Sequence, residues 1–173
     1  QRVTDDLKEM IEYTKKSYPE AKYVLLAHSF GSFAAQVFIT RYGSLINSLI
    51  LSGTTSFMSG LGSMTKILAS IVSIFTSVRT PSPFLTRIAF GSYNKKIVKP
   101  SSPNSWLSRD EEEVKKYDES PLCGFPCTPG FYKDLGTAFT VMNNPAKMKK
   151  IPRNITILLI AGKNCRGLKS KTL

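Results

Sequence analysis

The apolar run Tyr23-Val24-Leu25-Leu26-Ala27 gives way within a few residues to a helix-forming stretch, and the join falls at His28-Ser29-Phe30-Gly31. An unbroken apolar run of this length reads as a strand buried on both faces of a sheet. From Gly31 to Tyr42 the residues suit about three turns of helix, and Gly43 supplies a stop. Ile46-Asn47-Ser48-Leu49-Ile50-Leu51 then reads as a second strand. With only one helix between them, the two strands are expected to pair in parallel through a right-handed crossover. A third apolar run, Ile155 to Ile160, ends in Ala161-Gly162. The chain is therefore expected to be α/β, built on a parallel sheet.

Ser29 stands at the sharpest point of this pattern. A serine between a buried strand and a helix is lifted to the carboxyl end of the sheet, where its hydroxyl meets solvent. Ala27-His28-Ser29-Phe30-Gly31 fits the nucleophile-elbow pattern G-x-S-x-G with alanine in place of the first glycine. Small residues at 27 and 31 are expected because strand and helix backbones pass close together there. The helix N-terminus would also aim the Phe30 amide at a developing oxyanion. A structural serine in an ordinary β-to-α turn is the competing reading. His28 is the single histidine of the chain. As the neighbour of Ser29 it is expected to diverge from the hydroxyl, which makes it a motif or packing residue and not a base.

Elsewhere, periodicity and breakers mark the elements. Residues 3 to 17 form an amphipathic helix with Val3, Leu7, Met10, Ile11 and Thr14 on one side, and Pro19 ends it. Asp5 and Asp6 in its first turn and Lys15 and Lys16 in its last suit the helix dipole. Between residue 53 and about residue 150 no strand is evident. Residues 57 to 78 carry Phe57, Leu61, Met64, Leu68, Ile71, Phe75 and Val78 at helical spacing. This helix either packs on its own domain or forms a lid whose apolar face lines an acyl pocket or touches lipid. Pro81, Pro83, Pro100, Pro103, Pro121, Pro126 and Pro129 are expected to break the next fifty residues or so into short helices and loops. Asp110-Glu111-Glu112-Glu113 opens a helix to about Tyr117, a solvated first turn and not a metal site.

Composition excludes some functions. The 173 residues are 42% hydrophobic and 21% charged, as in ordinary globular domains. No apolar run is long enough to span a bilayer, and the polar start Gln-Arg-Val-Thr-Asp-Asp is no signal peptide. A chain that opens on Gln is expected to lack its beginning. Cys123, Cys127 and Cys165, with one histidine, make no metal signature and read as reduced thiols of a cytoplasmic protein. The net charge of +12 is concentrated late, with eight basic residues and no acid after Asp134. These charges bracket an apolar strand without interleaved aromatics, which argues against nucleic acid. Loss of an acidic remainder is the simpler account.

The order elbow, strand, long helical insertion, strand resembles the capped hydrolases of the monoacylglycerol lipase/lysophospholipase group, also called serine-aminopeptidase-like. The resemblance covers the chain to about Gly162. It rests on the elbow, on Ile50-Leu51-Ser52-Gly53-Thr54, and on Trp106-Leu107-Ser108-Arg109-Asp110 with Pro121-Leu122-Cys123-Gly124-Phe125. It implies a partial α/β-hydrolase core in residues 1–55 and 148–173 with a helical cap in 56–147. It also implies ester hydrolysis without cofactor: Ser29 attacks an acyl carbonyl, an acyl-enzyme forms, and water releases the acid. Phe30 would give one oxyanion amide, with Ala27, His28 and Gly31 completing the elbow.

The family's histidine lies beyond its last strands and its acid just after the strand at 155–160. Here Gly162-Lys163-Asn164-Cys165-Arg166 holds no carboxylate and the chain ends at Leu173. Neither Asn164 nor Cys165 can hold an imidazolium as an aspartate does. The chain is thus expected to be a truncated or frameshifted fragment, inactive or nearly so. Two alternatives stay open. The chain could be a non-catalytic protein that binds lipid or an anionic membrane surface, or a partner chain could supply the missing strands, histidine and acid. The acyl ester or lipid substrate is not identified.

Overall fold

The computed structural model describes residues 2–55 and 60–162. Phe57, where the insertion helix is expected to begin, and Lys163, Asn164, Cys165, Arg166, Lys169 and Lys171 of the basic end lie outside the described residues. Those that are described divide into two compact units, one drawn from Gln1–Met64 and Asp134–Leu173 and the other from Thr65–Lys133.

The first unit carries the sheet. Strands β1 (Val24–His28), β2 (Ser48–Ser52) and β3 (Thr156–Ile160) are parallel and ordered β1-β2-β3. Their register is unbroken, with His28 level with Ser52 and Ser52 level with Ile160. All three expected strands are present, shifted by one or two residues: β1 takes in His28 and releases Tyr23, and β2 takes in Ser52. Tyr23 stays outside because its N–H donates to the side-chain oxygen of Asn47 (2.7 Å) and its carbonyl accepts from Asn47.

Helix α2 (Phe30–Tyr42) lies on one face of this sheet and α1 (Arg2–Ser17) packs on α2. Period-two alternation puts Leu25, Ala27, Leu49 and Leu51 on the covered face. There Ala27, Leu49 and Leu51 join Ala35, Phe38, Ile39 and Ile46 in one buried cluster, with Leu25 packed against it. Phe38 and Leu49 are fully buried. The opposite face is open: Val24 and Leu26 of β1 are exposed, Leu26 at 66%; all of β3 is exposed, Ile157 and Leu159 on the covered side included. The even burial expected of the Tyr23–Ala27 run is therefore realised on one side only.

The core-facing side of α1 also differs from the expected one. Thr4 is buried and Leu7 and Ile11 pack on the core, while Val3 and Met10 point to solvent. The reason is a polar joint with α2. Arg41 is 2.9 Å from the Asp5 carboxylate and donates to Thr4 Oγ1, and Tyr42 Oη donates to Asp5 at 2.8 Å. The bond from Tyr42, reinforced by Arg41, holds the Asp5 carboxyl below its ordinary range, and the same bond raises the Tyr42 phenol. Gly43 stops α2, though not through a left-handed cap: its φ is −58° and the chain continues into a 3-10 turn, Gly43–Leu45. Glycine is needed for close approach, because a Cβ there would sit 2.7 Å from Pro152 Cδ.

The insertion is helical, as expected. Helix α3 (Leu61–Phe75) stops short of Val78; of its expected apolar stripe Leu61, Met64, Ile71 and Phe75 are exposed and Leu68 half-buried, and Ile67 and Ile74 outside that stripe are exposed too, Ile74 at 77% and Phe75 at 83%. Helix α4 (Pro83–Phe90) is capped by Ser82, whose hydroxyl accepts from the Leu85 amide. Helix α5 (Glu111–Glu119) begins where the acidic run predicts, with Asp110 accepting from the Glu112 amide at 3.0 Å. Helix α6 (Pro129–Met142) is the main departure from expectation. Pro129 opens fourteen residues of helix in place of the expected break into short pieces, and Pro83 and Pro145 likewise open α4 and α7 (Pro145–Met148). Proline at a first helical turn forfeits no hydrogen bond and arrives with helical φ.

Within the second unit the start of α6 is tied to α4 and the segment before it. Ser82 N–H donates to Cys127 O and Gly130 N–H to Val78 O, and the Tyr132 hydroxyl donates to Thr86. Trp106 stacks on Phe90 at 5.9 Å and meets Tyr93 edge-on at 4.7 Å. Among the described residues no helix is long and apolar enough to cross a membrane.

Candidate active site

Ser29 follows the last residue of β1 and precedes the first of α2. Its φ is 50° and ψ −121°, a left-handed conformation; its positive φ is shared with only one other described non-glycine residue, Lys99. An L-residue is strained there. Serine is also among the best helix N-caps when its oxygen accepts from the first-turn amides. Ser29 holds the N-cap position of α2 without making that bond. The exposed hydroxyl is thus turned out of the helix by the backbone that carries it.

Both peptides flanking Ser29 are anchored. Its N–H donates to the Ser52 carbonyl of β2 at 3.0 Å. Its carbonyl accepts from the Ser32 N–H at 2.9 Å and the Ser32 Oγ–H at 2.6 Å. Phe30 opens α2, where amides point outward along the helix axis. Ala27 is buried on the covered face. Gly31 is not the steric necessity expected of it: a Cβ there would meet no described heavy atom within 4 Å.

His28 ends β1 on the open face of the sheet. Its Nδ1 lies 3.1 Å from Ser52 Oγ, and its Cε1 would be 3.2 Å from a Cβ at Gly53. Gly53 has φ +57° and donates its N–H to Ile160 O, so glycine is favoured there by conformation as well as by the imidazole. Ser52 and Gly53 belong to the segment Ile50–Thr54 singled out in the sequence, and their tasks at the elbow become visible only in the fold. Residues 32, 36 and 54 are not foreseen as part of the site; a Ser–Thr–Gln set spread over a helix and a loop gives no local signal.

Burial pushes the Cys127 thiol up, which weakens it as a nucleophile, and it raises the Tyr132 phenol. Among the described residues no group of three His, Cys, Asp or Glu is placed to hold a metal ion.

A parallel sheet with a strained serine between strand and helix defines the α/β-hydrolase class. Residues 1–165 match the family described as serine aminopeptidase, S33, and the chain belongs to that family. Among curated proteins none matches. Solved structures with the same fold include a thermostable carboxyl esterase from Bacillus coagulans, at TM-score 0.77 and 20% identity over 89% of this chain and 50% of that one. A lipase in an open form aligns at TM-score 0.75 and 22% identity, over 91% of this chain and 52% of its own. The monoacylglycerol lipase of Paleococcus ferrophilus aligns at TM-score 0.54 and 14% identity, over 92% and 64%. The chain thus spans about half the length of the first two.

Proposed function

We propose that Ser29 is the nucleophile of a carboxylic-ester hydrolase of the lysophospholipase and monoacylglycerol-lipase type. The observation that carries this is the backbone of Ser29: a residue suited to capping α2 is instead held at positive φ with its hydroxyl unused by the helix. Strain of this kind is kept where function requires it. In this reading Ser29 Oγ attacks the acyl carbonyl, the Phe30 amide stabilises the oxyanion, and water releases the acid from the acyl-enzyme. Ala27, His28 and Gly31 complete the elbow. Residues 56–147 are assigned to the cap; of these Thr65–Lys133 make a compact unit, and Asp134 onward clusters with the sheet. The free thiols Cys123 and Cys127 agree with a cytoplasmic setting.

No residue of the 173 is proposed as the base. The single histidine is bonded to Ser52, and a serine hydroxyl without a base is a weak nucleophile. The chain by itself is therefore expected to react slowly. Incubation with a fluorophosphonate and peptide mapping should place a slow adduct on Ser29, and Ser29→Ala should remove it. An adduct elsewhere, or one unchanged in Ser29→Ala, refutes the assignment.

A second reading is favoured by α3. Its exposed stripe of Met64, Ile67, Ile71, Ile74 and Phe75 belongs to a stretch, residues 21 to 109, that has basic residues and no acidic ones. Such a helix suits an anionic lipid surface. Binding to vesicles containing anionic lipid, weakened by salt and by Ile74→Glu, supports this; equal indifference to anionic and neutral vesicles excludes it.

A further inference from the structure

Behind Ser29, in the first unit, a chain of polar side chains runs from α2 to the loop after β2. Ser32 is fully buried and Thr54 nearly so, which makes their hydroxyls costly unless bonded. Ser32 Oγ lies 2.6 Å from the Ser29 carbonyl and 2.8 Å from Thr54 Oγ1, and Gln36 Nε2 lies 2.9 Å from Thr54 Oγ1. A carbonyl only accepts, so Ser32 Oγ–H donates to Ser29, and its one proton is shared between that carbonyl and Thr54 Oγ1. Thr54 Oγ1 accepts from Ser32 Oγ–H and from the Gln36 amide alike. Thr54 Oγ1 is thus the shared acceptor that fixes both Gln36 and the Ser32 hydroxyl, and Ser32 carries the chain on to Ser29.

This end point has a geometric consequence. The Ser29 carbonyl and the Phe30 N–H belong to one planar, trans peptide and point in opposite directions. Whatever fixes the carbonyl fixes the amide. Two donors from Ser32 meet that carbonyl, while Ser52 holds the Ser29 N–H on the other side. The strained ψ of Ser29 is thus set from both sides by groups that do not touch the reacting atoms.

We propose that Gln36, Thr54 and Ser32 are positioning residues: their hydrogen-bond chain holds the Ser29 peptide so that the hydroxyl and the Phe30 amide face the same substrate carbonyl. This rests on the assignment of Ser29 as nucleophile. Misplacing a catalytic group by about 1 Å costs up to about a hundredfold in rate, so a loosened elbow should be visible in acylation even when the fold survives.

The test compares Thr54→Val, which keeps the shape and loses the hydroxyl, with Thr54→Ser, which keeps the hydroxyl, in the 173-residue chain. Two quantities are read: fluorophosphonate acylation of Ser29, resolved into kinact and KI, and hydrogen exchange of the amides of residues 29–33. Thr54→Val should lower kinact about ten- to a hundredfold with KI little changed, and should speed exchange at 29–33 selectively. Thr54→Ser should restore both to near the parent values. Wild-type kinact and unchanged exchange in Thr54→Val overturn the proposal, whatever its melting temperature. So does a uniform rise in exchange across the unit, or failure of Thr54→Ser to rescue. If the adduct survives in Ser29→Ala, the nucleophile assignment fails and the catalytic part of the proposal falls with it. The exchange data then decide separately whether the chain of bonds holds the turn.

Discussion

Ser29→Gly should make the protein more stable, because it relieves about 1–3 kcal/mol of strain, the usual cost of a residue held in a sparsely populated backbone region. Glycine accepts φ 50° and ψ −121° without a Cβ penalty. Against this gain stands the greater chain entropy that glycine has when unfolded, worth roughly 0.5–1 kcal/mol, so the low end of the range is a small net gain. The hydroxyl itself contributes no bond to α2, and its removal is not expected to offset the gain. Urea titration monitored by circular dichroism measures the difference directly, provided the slope is unchanged. A loss of stability would mean that the serine sits comfortably in its turn, and strain could no longer single it out as the nucleophile. Stability gained as reactivity disappears is the expected trade at a strained functional site.

Phe38→Ala should have the largest effect in the opposite direction, a loss of about 3–5 kcal/mol. Phe38 is fully buried in the cluster that joins α2 to the covered face of the sheet, and its ring lies 5.6 Å from that of Tyr42. Domains of this size retain only about 5–15 kcal/mol in total. A sheet with one open face stands at the lower end of that range, so the variant is expected to lose its cooperative thermal transition. Ile74→Ala, at a position 77% exposed, serves as the control and should change stability by less than about 0.5 kcal/mol. A cooperative melt in Phe38→Ala within about 1 kcal/mol of the parent, well short of the usual cost of such a cavity, would show that the α2–sheet core does not govern folding.

Three strands, the helix between the first two and the serine at their junction are legible in the sequence because each depends on local pattern. The apolar runs mark strands, the change of period after Gly31 marks a helix, and the acids at 110–113 mark a helix start. Errors arise where tertiary contacts decide. The inward side of α1 depends on Asp5 meeting Arg41 and Tyr42, residues more than thirty positions away. The fourteen-residue α6 is hidden by reading Pro129 as a breaker when it stands at a first turn. At the site, Ala27, Ser29 and Phe30 are visible as a motif, whereas the Gln36–Thr54–Ser32 chain is not. Hydroxyl and amide side chains eighteen and twenty-two positions apart carry no periodic signature. Gly31 shows the reverse case, a motif glycine for which the steric reason is absent from the described surroundings.

The even register of the three strands sets a length scale for the chemistry. With His28, Ser52 and Ile160 level, the three strands end side by side along one rim. Neighbouring strands are about 4.8 Å apart, which puts the backbone after β3 roughly 10 Å from Ser29. A hydrogen bond spans about 3 Å. A proton passing between Ser29 and a side chain at the end of β3 must therefore cross the end of the middle strand. The middle of the rim belongs to Gly53, which has no side chain to fill that space.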